Sequence, residues 1–186
     1  MDAITLLRSD HDTAEKLFKR FETLGERARK SKRDVVGRMI EVLSVHAAIE
    51  EQVFYPAVRK AVPELDDLIL AALEEHHVVK WTLAELDGLD PNAERFDAKV
   101  ALLIENVRRH VEEEEGSIFA RVREALGRTA LQDMGRALEV ARKAAPVRPH
   151  PRSPDTPPLN AVTGTLAGVA DRVKEVSQET LRKVTP

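Results

Sequence analysis

Two stretches of the chain set a histidine four residues ahead of a glutamate within an apolar helical pattern. HAAIEEQVF holds His46 and Glu50, and RRHVEEEEGSIF holds His110 and Glu114. Residues at that spacing stack one turn apart on a helix and can converge on a common point. Leu43, Ala47, Val53 and Phe54 bracket the first pair, and Val107 and Ile118 the second, so both pairs lie on a face that must be buried. Two more histidines take apolar positions: His11 in the stripe Leu7, Ala14, Phe18, Phe21, and His76 between Ile69, Ala72, Val79 and Leu83. Burying four imidazoles and two carboxylates with no cation would leave two negative charges unmatched in the core. His11, His46, Glu50, His76, His110 and Glu114 are therefore the candidate metal ligands. Six ligands exceed what one Zn²⁺ takes, so two ions sharing carboxylates fits the arithmetic. Imidazole and carboxylate suit iron, manganese or zinc, and the lack of sulfur ligands argues against Cu(I).

Positioning six such residues requires long helices, and the sequence supplies them. Apolar residues at helical spacing predict a first helix over Ala3–Leu24 and a second over Arg33–Val58, which Pro56 should kink or end. A third runs from Pro63-Glu64 to Leu86, stopped by Gly88 and Pro91, and a fourth over Ala93–Ala125. No single stripe can be buried alone, so the reading is all-α: an antiparallel up-down-up-down four-helix bundle in which each helix sends one histidine inward. A shorter amphipathic segment, Ala130–Lys143, should pack across one end. Residues 1–145 then form one domain, and 146–186 a proline-rich linker followed by an amphipathic helix with Val162, Leu166, Val169, Val173 and Val176 on one face. That helix has its own bundle or a partner to dock on. It carries no aromatic residue and few basic ones, which disfavours a membrane surface.

Composition narrows the function classes. The net charge of −3 gives no basic excess for nucleic acid. No apolar run is long enough to span a membrane and no signal peptide is visible, so a cytoplasmic protein is expected. With no cysteine there is no thiol catalysis and no thiolate metal site. Glycine-rich phosphate loops and nucleophile elbows are missing too, so no catalytic residue is assigned.

Taken together, LLRSDHDTAEKLF, HAAIEEQVFYP, LEEHHVVKWTLAEL and RRHVEEEEGSIF resemble the hemerythrin-like family, also called the HHE cation-binding domain, over roughly residues 3–126. The resemblance implies a non-haem diiron centre with an oxo or hydroxo bridge, Glu50 and Glu114 bridging, and the histidines in terminal positions. It implies reaction with a small oxidant or gas ligand (O₂, H₂O₂ or NO) in oxidative or nitrosative stress or iron handling. Rival readings are a diiron enzyme consuming peroxide or NO, and a redox or gas sensor signalling through the C-terminal helix. There is one departure. Oxygen carriers of the family have two histidines four apart on the third helix, and here the partner position of His76 or His77 falls on Ala72 or Leu73. Water, His77, or one of Glu51, Glu75 and Glu113 is left to fill the gap, which favours open coordination over reversible O₂ transport. His77 itself, at the edge of the apolar arc, reads best as a hydrogen-bonding group behind a ligand. The run Glu112–Glu115 reads as surface apart from Glu114, and His150 as solvated. Trp81 and Tyr55 fall off the stripes and are assigned to helix packing, with Tyr55 kept as an outside candidate for a phenol near the metal.

Overall fold

The computed structural model describes residues 1–155, which contain helices and no strand. Four rods form the bundle. The first is α1 (Ala3–Glu22), and the second is α2 (Arg29–Ile49), which passes through a π-turn (Glu50–Phe54) into α3 (Tyr55–Ala61). The third is α4 (Asp66–Leu86), entered by a 3₁₀ turn (Pro63–Leu65). The fourth is α5 (Phe96–Glu113), which passes through a second π-turn (Glu114–Ile118) into α6 (Phe119–Ala125). The rods pack as a ring, α1 to α2 to α4 to α5 and back to α1. This is the up-down-up-down bundle that the four stripes require.

Local chemistry sets the rod ends. Asp2 caps α1, its carboxylate accepting the Thr5 N–H at 2.9 Å. Gly88 turns the chain out of α4 at φ +88°, a conformation that glycine adopts without steric cost. Pro56 does not end its rod. It sits in the first turn of α3, just after the π-turn, where a missing backbone donor is tolerated. The rod widens ahead of it instead: the Tyr55 N–H bonds the Glu50 carbonyl, five residues back. In the fourth rod the Phe119 N–H does the same to Glu114. Both rods carry one extra residue at the glutamate, a feature the apolar pattern does not predict.

The core is divided in two. Ile4, Leu7, Ile49, Phe54, Val58, Ile69, Phe119 and Val122 belong to one apolar cluster. Phe18, Phe21, Met39, Leu83, Phe96, Val100 and Leu103 belong to the other. The four histidines of the candidate site fall between the two clusters in sequence, one on each rod.

The short amphipathic segment is α7 (Arg128–Ala144), and it lies along the bundle against α1, α2 and the first π-turn rather than only across an end. Leu131 and Leu138 are its buried anchors. The chain that follows is not helical, but it packs: Ala145, Pro146 and Val147 are buried and His150, expected to be solvated, is half-buried. Arg148 pairs with Asp87, and Arg152 lies 5.9 Å from the Trp81 ring. Trp81 is exposed, so its assignment to helix packing is corrected. The C-terminal stripe Val162–Val176 lies outside the described residues. Among those described, no helix is long and apolar enough to cross a membrane.

Gly135 is where α7 meets the N-terminus, and a Cβ there would press on the Met1 carbonyl oxygen and the Asp2–Ala3 backbone. Gly135→Ala is expected to destabilise the fold by about 1–3 kcal/mol, the usual cost of overpacking, as read by denaturant unfolding.

Candidate metal centre

The structure brings the six predicted residues into one buried layer. His11, His46, Glu50 and Glu114 offer ligand atoms within 4.8 Å of one another, and so do Glu50, His76 and His110. Nε2 atoms of His11 and His46 are 3.2 Å apart, and those of His76 and His110 are 3.1 Å apart. The glutamates lie between the two histidine pairs. Glu50 Oε2 is 3.0 Å from His46 Nε2 and 3.5 Å from His76 Nε2. Glu114 Oε2 is 3.3 Å from His11 Nε2 and 3.5 Å from His110 Nε2. Each carboxylate thus reaches one histidine of each pair.

Glu50 and Glu114 are 0% and 1% exposed. Both oxygens of Glu50 and Oε2 of Glu114 nonetheless lack a hydrogen-bond partner of good geometry, although imidazole nitrogens lie 3.0–3.5 Å away. A buried carboxylate left so costs several kcal/mol. Imidazole nitrogens and carboxylate oxygens crowded this closely are what a cation pair would satisfy, and the donor set is of the kind iron, manganese and zinc accept.

Around this layer runs a second one. Each histidine turns Nδ1 to a carboxylate: His11 to Glu115 at 2.9 Å, His46 to Asp10 at 3.4 Å, His76 to Glu51 at 3.2 Å and His110 to Glu75 at 2.9 Å. Such partners fix the tautomer that leaves Nε2 free for a metal. Each carboxylate is in turn held by a cation, Arg8, Arg142, Lys80 and Arg109 respectively. The pattern is cyclic. Asp10 on α1 serves the α2 histidine, Glu51 at the end of α2 serves α4, Glu75 on α4 serves α5, and Glu115 after α5 serves α1. Every one of the four is the chain neighbour of a candidate ligand. Successive helical residues differ by about 100° in direction, so the neighbour of an inward residue faces the adjacent rod.

The structure places the side chains among the open alternatives. Glu51 and Glu75 support histidines from behind, on Nδ1. Glu113 is exposed, and Glu115, assigned to the surface, faces His11. His77 is exposed and accepts a hydrogen bond from Trp81 at 3.1 Å within its own helix, so it backs no ligand. Ala72 and Leu73 are buried among apolar residues. The additional donor is Tyr55, which is 1% exposed. Its hydroxyl donates to Glu114 Oε1 at 2.9 Å and lies 3.3 Å from His76 Nε2. The π-turn explains this, since the extra residue brings Phe54 and Tyr55 inward together. At the equivalent place after the second π-turn stands Phe119, stacked on His11 at 5.8 Å.

Electrostatics follow the geometry. Burial opposes charge on His46, but Glu50 and Asp10 outweigh it and raise its pKa from 6.5 to about 10. His110 is raised likewise, against burial, by Glu114 and Glu75. Burial would push Glu114 up, yet His110 and His11 hold it well below the usual carboxylate range. For Tyr55, burial and the Glu114 charge push the phenol far up, so it stays a protonated donor.

A raised histidine stabilises the metal-free fold in full below its unfolded value of 6.5, and that contribution is lost as pH climbs through about 10. Thermal midpoints of metal-free protein should therefore fall over this interval, while metal uptake, which must displace the proton, tightens. A flat or rising midpoint would contradict the assignment. Glu115→Gln is expected to weaken metal binding by about 10–100-fold, and His77→Ala to leave it unchanged, both read by metal titration.

Residues 2–122 match the model of the hemerythrin HHE cation binding domain. The chain is 26% identical over 138 residues to an uncharacterized hemerythrin-like protein of Schizosaccharomyces pombe, covering 74% of this chain and 68% of that one. It is 29% identical over 126 residues to a DNA nickase of a Nostoc species, covering 68% of this chain but 35% of the nickase. Among solved structures, a hemerythrin HHE cation binding domain-containing protein from Mycobacterium kansasii shares the fold, with a TM-score of 0.63 at 20% identity over 77% of this chain and 88% of that one. With two thirds of its length matched and its histidines and glutamates gathered in a four-rod core, the chain belongs to the hemerythrin HHE cation-binding domain family.

Proposed function

We propose that this protein holds two iron ions, one between His11 and His46 and the other between His76 and His110, with Glu50 and Glu114 shared, and that the pair takes O₂, peroxide or NO. The observation that carries the reading is the pair of fully buried glutamates, each reaching both histidine pairs, with both oxygens of Glu50 and Oε2 of Glu114 lacking a hydrogen-bond partner. Irons so held supply electrons and an exchangeable coordination position to a small oxidant. The chain does the rest. Glu50 and Glu114 would be shared by the two ions. The imidazoles add no charge of their own, and the outer carboxylates hold each ring in the orientation that presents Nε2. Tyr55 donates its hydroxyl proton to Glu114 Oε1, the two oxygens 2.9 Å apart.

The space at the site fits a molecule of that size. A cavity of about 20 Å³ lies against the four histidines, walled by Ala14, Leu43, Ala47, Val79 and Val107. It is too small for an organic substrate. A groove of about 250 Å³ between α1 and α5 reaches His11 from the surface, past Phe18, Arg108 and Glu115. The nickase resemblance supports no nucleic-acid reading, since it covers 35% of that protein.

Protein purified without added metal should carry about two irons per chain, as a two-metal site requires, and an oxidised sample should absorb in the near ultraviolet. A folded bundle with no metal would end the proposal. Val79→Ile adds one methylene group to the cavity wall. It should leave the metal content unchanged and slow binding of NO to the reduced protein roughly tenfold, as a gate on a space this small would.

A further inference from the structure

Arg142 lies on α7, beyond the stretch that carries the family match. Its guanidinium grips both oxygens of Asp10, Nη1 on Oδ1 at 2.9 Å and Nη2 on Oδ2 at 2.5 Å. That same Oδ2 is 3.4 Å from Nδ1 of His46. The chain His46, Asp10, Arg142 therefore runs from the metal layer to a helix that is not one of the four rods.

An internal repeat shows why an outside cation is needed. Asp10-His11, His46 and Glu50-Glu51 in the first half recur in the same order as Glu75-His76, His110 and Glu114-Glu115 in the second. In the second half, the residue just before His110 is Arg109, which pairs with Glu75 at 3.2 Å. In the first half, the residue just before His46 is Val45, a half-buried side chain packed on the apolar cluster to which α7 contributes. Asp10 thus has no cation on α2 where Glu75 has one on α5. With its side chain 13% exposed, Asp10 needs a counter-charge.

We propose that Arg142 is a positioning residue for the metal centre. From α7 it supplies the counter-charge that the α1–α2 half lacks, and so fixes Asp10, the His46 ring and the affinity of the ion held by His11 and His46. The inference rests on the two-metal reading above. Linkage makes it reciprocal: whatever α7 adds to the affinity of that ion, the ion adds to the docking of α7.

The test is titration of metal-free protein with cobalt(II) alone, followed by its visible spectrum and by the shifted imidazole N–H resonances. Arg142→Ala should weaken one of the two cobalt ions about tenfold, the low end for loss of an outer partner, and leave the other within about twofold. One imidazole N–H resonance should shift, and Arg142→Lys should restore part of the affinity. Leu131→Ala, about three turns away along α7, serves as the structural control. It should lower the thermal midpoint while leaving both affinities and all N–H resonances in place. Unchanged affinities and resonances in Arg142→Ala would overturn the inference, as would Leu131→Ala reproducing its effects. Failure of the wild-type chain to bind two cobalts would overturn the two-metal reading and this inference with it. Two cobalts bound equally well in wild type and Arg142→Ala would overturn this inference alone.

Discussion

Glu50 and Glu114 are anions set in the middle of an apolar bundle, with both oxygens of Glu50 and Oε2 of Glu114 lacking a hydrogen-bond partner. Taking such charges out of water costs several kcal/mol each unless something positive meets them. The bundle accommodates this at three radii. Four imidazoles surround the carboxylates, four more carboxylates hold the imidazoles, and Arg8, Arg142, Lys80 and Arg109 face those carboxylates from outside. Since the outer carboxylates and the cations balance, the charge left to match is that of Glu50 and Glu114. A pair of metal cations would more than offset it, leaving positive charge for a bridging or incoming anion to take up, and in the metal-free protein, against burial, Glu50 and Glu114 draw the pKa values of His46 and His110 upward.

That demand shapes the fold as much as the apolar stripes do. Both π-turns begin at the buried glutamates. A π-turn is less favourable than a regular turn and is found mostly at functional sites. Here it lets one rod present a glutamate and then an aromatic ring to the same layer. The two halves use this differently. Tyr55 brings a hydroxyl to the His76 side, and Phe119 brings an apolar face to His11, so an otherwise twofold ligand arrangement offers two chemically distinct ends to a small ligand.

Much of this was legible in the chain. The four stripes, their order and the six inward residues follow from a period near 3.6 interrupted by histidine and glutamate at apolar positions. The π-turns left no such trace, because Glu50–Phe54 and Glu114–Ile118 read equally well as regular helix. Missing them put Tyr55 off the stripe. Glu115 was assigned to the surface because only one face of the rod was considered, yet its adjacency to Glu114 was a usable signal, as was that of Asp10 to His11. Arg142 could not have been found. It is one cation in a basic run near the end of α7, and only the packing of that helix on α1 and α2 brings it to Asp10.

The central claim is that Glu50 and Glu114 are shared between two ions, and anomalous X-ray diffraction at the iron edge tests it most directly. The account predicts two peaks in the core, roughly 3.5–4 Å apart, with both glutamates between them, His11 and His46 on one and His76 and His110 on the other. A single peak, or peaks that either glutamate fails to touch, would contradict it.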